Sequence, residues 1–359
     1  MNLITTNETF QNMSSNMSTS QSPSCLNHIL ADNPSKVIPV IYAIICIFGF
    51  IGNSVVITVL CRERGVKTIA SIYILNLAVA DLLFILTLPL WATYYAFGYK
   101  WVFGNVMCKL SGSLLCLSLF ASIFIISCMS VDRYLAIVHP LRLQIRTSHQ
   151  ASVVVLIAWG LAILSTLPTL YFRSMYYIKS LGVNACVMDF SEEKYSSWFA
   201  AISLMKIGLG FCIPLVMIGT FYLRIMIHLK KERHQSFNRN YRDRALKIVT
   251  AIILTFIICW WPFHTLTFLD LLIRRDIICN NNLVIFIQTV MPFSVCLGFS
   301  NSSINPLLYC FFGNQFRENF KHTFSLKTFH PDSNMQSSSR KGSASKDEKC
   351  TGIGDNLNV

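Results

Sequence analysis

The chain has 359 residues, of which 53% are hydrophobic and only 13% charged, and its formal net charge is +13. Soluble domains carry about a quarter charged residues, so the composition argues against a large soluble helical protein. The basic residues lie in short stretches between long apolar ones, which argues against a nucleic-acid surface.

Residues 1–36 are rich in Ser, Thr and Asn and poor in apolar residues, the composition of a disordered segment. They lack the basic, apolar and small-residue order of a cleaved signal peptide. Asn-x-Ser/Thr acceptors occur at Asn7, Asn12 and Asn16, whereas Asn33 precedes a proline. An extracellular, glycosylated tail is expected. Residues 37–310 hold seven apolar stretches, roughly 37–61, 69–97, 107–138, 152–171, 198–229, 245–273 and 283–310. About 20 apolar residues suffice to cross the hydrocarbon as a helix, where no water is present to satisfy the backbone. Pro89, Pro168, Pro214, Pro262, Pro292 and Pro306 fall inside these stretches, and each predicts a kink. Connections are short except 173–197 and 230–244. In residues 311–326, Phe316, Phe320 and Phe324 recur every fourth position with Arg317 and Lys321 between them. That period gives an amphipathic helix lying on the membrane surface. Residues 327–359 are Ser- and Lys-rich and predict a disordered cytoplasmic tail, with Ser337–Ser339, Ser343 and Ser345 as candidate phosphorylation sites. The fold class is therefore an all-α membrane protein, a seven-transmembrane helix bundle followed by a short amphipathic helix.

With an odd number of spans the termini lie on opposite sides. Placing the N-terminus outside puts most Lys and Arg in the cytoplasm, as the positive-inside bias requires. Cys25, Cys108, Cys186 and Cys279 then face the oxidising exterior, and four cysteines allow three pairings. Pairing Cys108 with Cys186 would tie the long outer loop over the helix ends, and Cys25 with Cys279 would join the N-terminal tail to the last outer loop.

Charges inside hydrocarbon are costly and mark function. Asp81 interrupts an apolar stretch, and Asn53, Ser122, Asn301 and Asn305 could surround it. Such a ring of oxygens would hold sodium or form a structural polar network. Lys206 lies more than a helical turn inside the fifth span and is expected to face a pocket and await an anion. Arg173 could converge on the same anion, and Asp270 could meet a cation, although each by itself also fits an ordinary interfacial charge. Many Tyr and Trp lie near the outer rim, where aromatic belts gather. Asp132 and Arg133 alone read as an ion pair at the membrane edge.

Asp132-Arg133-Tyr134 ends the third span, Cys259-Trp260-Trp261-Pro262 lies in the sixth, and Asn305-Pro306-Leu307-Leu308-Tyr309 ends the seventh. Asn53, Asp81, Trp159 and Pro214 mark four other helices. This ordered set resembles the rhodopsin-like G-protein-coupled receptors. Pro89–Tyr95, Tyr171-Phe172-Arg173, Leu181–Cys186 and Leu266–Asp270 resemble the angiotensin II receptor family within that class, its type-2 branch most of all. The resemblance implies a cell-surface receptor that binds angiotensin II and signals to a heterotrimeric G protein or another cytoplasmic partner. It implies that Lys206, helped by Arg173, binds the peptide's C-terminal carboxylate. Trp91, Tyr94, Tyr95 and Tyr195 would line the pocket, and Asp270 would face an arginine near the peptide's N-terminus. On binding, Arg133 would leave Asp132 while Trp260, Tyr134, Asn305 and Tyr309 take part in the switch. Asp81, Ser122 and Asn305 would form a sodium site. Two positions depart from the family. Gln288 stands where the family has a second acid, and Ser118 stands where it has Asn, which predicts raised basal activity.

Rival readings fit less well. A transporter would show repeat-related broken helices, and a retinal pigment needs a Lys in the seventh span. A receptor for small amines needs an acid where Leu115 stands. No nucleophile–base pair or metal cluster with enzymatic spacing is found. A rhodopsin-like receptor for a different short peptide, such as a bradykinin-, apelin- or chemokine-like one, is the remaining alternative.

Overall fold

The computed structural model describes residues 24–62, 68–139, 147–179, 181–191, 194–231, 239–312, 316–318, 320 and 323, with backbone alone at 24–35, 239–245 and 312. Seven helices in it are long and apolar enough to cross a membrane: Lys36–Arg62, Ile69–Ala96, Gly104–Val138, Ser148–Phe172, Tyr195–Lys231, Leu246–Arg274 and Asn281–Phe311. They match the seven apolar stretches of the sequence. At the N-terminal end the helix containing the first span, α1 (Ser24–Arg62), begins earlier than expected and runs through residues 24–36. The glycosylation acceptors Asn7, Asn12 and Asn16, and the Ser cluster of the tail, lie outside the described residues.

Two spans are interrupted, and proline accounts for each interruption. The second span is divided into α2 (Ile69–Ile85) and α3 (Leu88–Ala96). Pro89 has no N–H to donate and is best accommodated in a first helical turn, and a new helix starts around it here. Thr87 bridges the break: its N–H and Oγ1 donate to the Phe84 carbonyl at 2.9 and 2.8 Å. The third and fourth spans are α4 (Gly104–Val138) and α5 (Ser148–Phe172). The fifth comprises α6 (Tyr195–Ile207), a π-helical turn at Gly208–Cys212, and α7 (Ile213–Lys231). Pro214 cannot bond back to residue 210, and the wider turn just before it absorbs that loss. The sixth and seventh spans lie in α8 (Arg239–Arg274) and α9 (Asn281–Phe312). Helical residues resume at 316–318, where Phe316 is buried against Tyr309 with ring centroids 6.4 Å apart.

The long connection 173–197 has structure of its own, which the sequence did not foretell. It holds an antiparallel hairpin of β1 (Arg173–Ile178) and β2 (Val183–Met188), with Arg173 opposite Met188 and Met175 opposite Cys186. A disulfide joins Cys186 to Cys108 near the start of α4. The Met175 N–H also donates to Asn105 Oδ1 at 2.9 Å, and the Trp101 N–H to the Asn184 carbonyl at 2.8 Å. The hairpin is therefore fastened across one end of the bundle. The expected Cys25–Cys279 link involves a side chain, that of Cys25, outside what the structure describes, and Cys279 is exposed with a free thiol.

Polarity runs inward. Phe48, Leu156, Val216 and Ile258 face outward and are well exposed, whereas Asn53, Asp81, Asn301 and Asn305 are buried between the helices. This inversion suits a hydrocarbon solvent, in which polar groups must find partners inside the protein.

Candidate functional site

Between the helices, below the hairpin, lies an open cavity. The third, fifth, sixth and seventh spans supply its walls. Its polar lining includes Arg173, Ser203, Lys206, Asp270, Arg274 and Gln288. The structure thus brings four predicted site residues, Arg173, Lys206, Asp270 and Gln288, to one cavity. Leu115, Leu119, Trp260, Phe263, Met291 and Phe299 make the rest of the surface largely apolar. An apolar pocket with a few convergent charges suits a ligand held by its ends.

Arg173 leaves α5 as the first residue of β1 and turns inward, 4% exposed. Its Nε donates to Cys186 Sγ at 3.3 Å, and its guanidinium carbon stands 5.0 Å from the Trp91 ring centroid. Its stem lies across Gly112, where an added Cβ would meet Nε at 3.0 Å. Burial pulls its pKa down to about 10, while Tyr94, Cys116 and Tyr95 pull it up. It stays a cation at neutral pH, and its Nη2 is buried without a hydrogen-bond partner. Lys206 on α6 has no hydrogen-bond or ion-pair partner among the described residues and is near enough to Arg173 to feel its charge. Two cations without a carboxylate partner in a largely apolar pocket are an invitation to an anion.

Trp91, Tyr94 and Tyr95 are buried in a layer next to Arg173 and are not among the residues that line the cavity in this structure. Their rings pack edge-on, Trp91–Tyr94 and Tyr94–Tyr95 each at 5.8 Å, with Trp101 5.2 Å from Trp91. Edge-to-face packing holds large rings together strongly, so they form a backing layer whose contact with the site is the Trp91–Arg173 stack. Tyr195 also stands off the wall and stacks on Phe199 at 6.2 Å.

Deeper in the bundle Asn305 Nδ2 donates to Asp81 Oδ2 at 2.8 Å, and Asn53 Nδ2 to the Ser302 carbonyl at 2.9 Å. Asp81 Oδ1, Ser118 Oγ, Asn301 Oδ1 and Tyr309 Oη are buried without hydrogen-bond partners. Ser118, Ser122, Asn301 and Ser302 line a small second cavity, and Leu115, Leu119, Trp260 and Phe299 line both cavities. Trp260 thus lies between the two and rests on Gly298, where a Cβ would come within 2.9 Å of its ring. A carboxylate with one orphaned oxygen, Asp81 Oδ1, suits a hard monovalent cation. No group of three or more His, Cys, Asp or Glu able to hold a metal occurs among the described residues. At the far end of α4, Arg133 Nη2 donates to Asp132 Oδ2, and Tyr134 packs on Phe221 at 5.0 Å.

Residues 52–309 match the seven-transmembrane receptor (rhodopsin family) profile. The type-2 angiotensin II receptor of Ovis aries is 50% identical over 315 residues, 88% of this chain and 86% of the relative. The Homo sapiens type-2 receptor is 50% identical over 313 residues, 87% and 84% of the two chains. The type-1 angiotensin II receptor of Sus scrofa is 40% identical over 302 residues, 84% and 83%. This chain belongs to the rhodopsin family of seven-transmembrane receptors, in its angiotensin II receptor group. It is a receptor and not an enzyme, and a multi-pass protein of the plasma membrane.

One charged residue of the receptor's cavity was not expected. Arg274 closes α8, and its Nε donates to Asp270 Oδ2 at 3.0 Å, so the acid assigned to a ligand's cation already has a partner. The signal was in the sequence, since Asp270 and Arg274 are four apart and share a helix face. Gly112 was missed as well, because a glycine in an apolar run has no signature of what will lie across it.

Proposed function

We propose that the receptor lies with its N-terminus outside, binds angiotensin II in the cavity beneath the hairpin, and transmits binding to a heterotrimeric G protein or another cytoplasmic partner. The observation that carries this is the pair of cations in one apolar cavity, Lys206 and Arg173, neither with a carboxylate partner there. A peptide's C-terminal carboxylate supplies what both lack, in charge-assisted bonds of fixed direction. The relatives, angiotensin II receptors, point to angiotensin II as the peptide. The orientation rests on the basic residues, most of which would then face the cytoplasm.

Trp260 connects binding to switching. A ligand pressing on the floor of its cavity presses on a ring shared with the small polar cavity. Sodium held by Asp81, Ser122 and Asn305 would favour one packing of that polar layer, and the peptide the other. Each ligand shifts the population by its differential affinity for the two packings. At the cytoplasmic end the shift frees Arg133 from Asp132 for a partner, as Tyr309 and Tyr134 repack. Gln288, which is neutral, and the engaged Asp270 favour a second reading, in which the ligand is a different short peptide with the same carboxylate end.

Binding of labelled angiotensin II to cells displaying the receptor tests both. Lys206→Ala should weaken it more than tenfold, since a hydrogen bond to a charged group contributes roughly 1.5–3 kcal/mol. Absence of binding at normal surface level would remove angiotensin II and leave the second reading.

A further inference from the structure

Arg274 does more than complete a helix end. A cation in the last turn of a helix, four residues after an acid, is a common surface pair that contributes a few tenths of a kcal/mol. That pair accounts for Nε alone. The guanidinium carbon stands 4.5 Å from the Phe199 ring centroid, on a different span, and Nη1 donates to Tyr195 Oη at 3.4 Å. The side chain is only 13% exposed, and Nη2 is buried without a hydrogen-bond partner. Arg274 lines the same cavity as Lys206 and Arg173. The cavity wall therefore carries three cations, Arg173, Lys206 and Arg274, against one carboxylate, Asp270, and the neutral Gln288. A ligand with a single carboxylate, placed on Lys206 and Arg173, leaves the third cation with an idle donor.

We infer that Arg274 is an anion subsite at the mouth of the cavity, which takes a carboxylate near the ligand's end remote from Lys206. The stack on Phe199 and the bond to Tyr195 fix the guanidinium plane, and Nη2 is the donor left for the ligand. Since the C-terminal carboxylate occupies Lys206, the remote end is the N-terminal one. The receptor then selects peptides carrying an acid at or next to the N-terminus. A neighbouring cation of the peptide shares Asp270, whose charge is no longer needed by Arg274 once the peptide's acid arrives. The inference rests on the peptide reading proposed above and adds the feature by which the receptor chooses among peptides.

The experiment is a binding cycle on intact cells. Two angiotensin II analogues, with Asp or with Asn as first residue, are titrated on the wild-type receptor and on Arg274→Gln, Arg274→Met and Lys206→Ala. The Met variant keeps an apolar stem over Phe199, so a folding defect of one neutral variant does not end the test. Wild type should prefer the Asp peptide by about tenfold or more. Both neutral Arg274 variants should lose that preference, while Lys206→Ala should bind both peptides less well and keep it. A preference unchanged in either neutral variant overturns the inference. So does tighter binding of both peptides by those variants, which would make Arg274 a lock on Asp270. If the wild type at normal surface level binds neither analogue, the peptide reading itself fails and this subsite falls with it.

Discussion

Arg173 owes its position to a residue with no side chain. Its stem crosses Gly112, and a Cβ there would sit 3.0 Å from Nε, 3.1 Å from Cγ and 3.2 Å from Cδ. Those separations are below ordinary contact, so Gly112→Ala must push the guanidinium away from Cys186 Sγ and the Trp91 ring. The variant should reach the surface and bind angiotensin II several-fold to about tenfold more weakly, the range expected when a charge-assisted bond is strained. A peptide with an amidated C-terminus, which lacks the carboxylate, should register the substitution far less. Equal affinity of wild type and Gly112→Ala for the free acid would show that the guanidinium takes no part in binding. Legibility at this scale follows cost. Lys206 and Asp81 were legible because a charge in an apolar run demands a reason. The ring positions were not, because a Tyr near the rim reads the same whether it faces a ligand or another ring. Trp91, Tyr94 and Tyr95 turned out to face each other.

At the scale of elements, apolar length alone located all seven spans, but their irregularities depend on neighbours. Pro89 and Pro214 announced disturbances without announcing their form. One became a break bridged by Thr87, the other a π-helical turn ahead of the proline. The hairpin was hidden because its burial does not alternate, Ala185 to Met188 all being buried, and its six-residue strands are short. Its function is to hold Arg173, which is both the first residue of β1 and a donor to the disulfide sulfur. Opening the Cys108–Cys186 crosslink therefore removes the tether that holds Arg173's acceptor in place. Cys108→Ser/Cys186→Ser should lose about tenfold or more in angiotensin II affinity, ~1.4 kcal/mol or more, chiefly through faster dissociation. A membrane-impermeant reductant on intact cells should do the same and be reversed by reoxidation. Dissociation rates indifferent to both treatments would mean that the hairpin holds Arg173 without its crosslink.

At the scale of the molecule the cavity, Trp260, the Asp81 layer and the Asp132–Arg133 pair lie along one bundle, and the polar layer is the place where a resting packing can be made firmer or looser. Ser118 is buried there with Oγ unpartnered, and it lines the small cavity with Asn301, whose Oδ1 is also unpartnered. An asparagine at this position would carry an amide N–H₂ into the cavity and offer Asn301 Oδ1 a donor. One added buried hydrogen bond contributes about 1 kcal/mol, a roughly fivefold shift in a two-state population. If that bond forms in the resting packing, Ser118→Asn lowers basal signalling by about that factor when the resting state is a minority and by less when it already dominates. Sodium acts on the same layer, so raising it in place of a large organic cation should also lower basal signalling, and Asp81→Asn should abolish that response. The measurement is partner activation without peptide, at matched surface level, for wild type, Ser118→Asn and Asp81→Asn in both salts. A basal signal that Ser118→Asn leaves unchanged or raises would place the extra bond in the active packing or in neither, and the smaller side chain would no longer account for a loosened resting state.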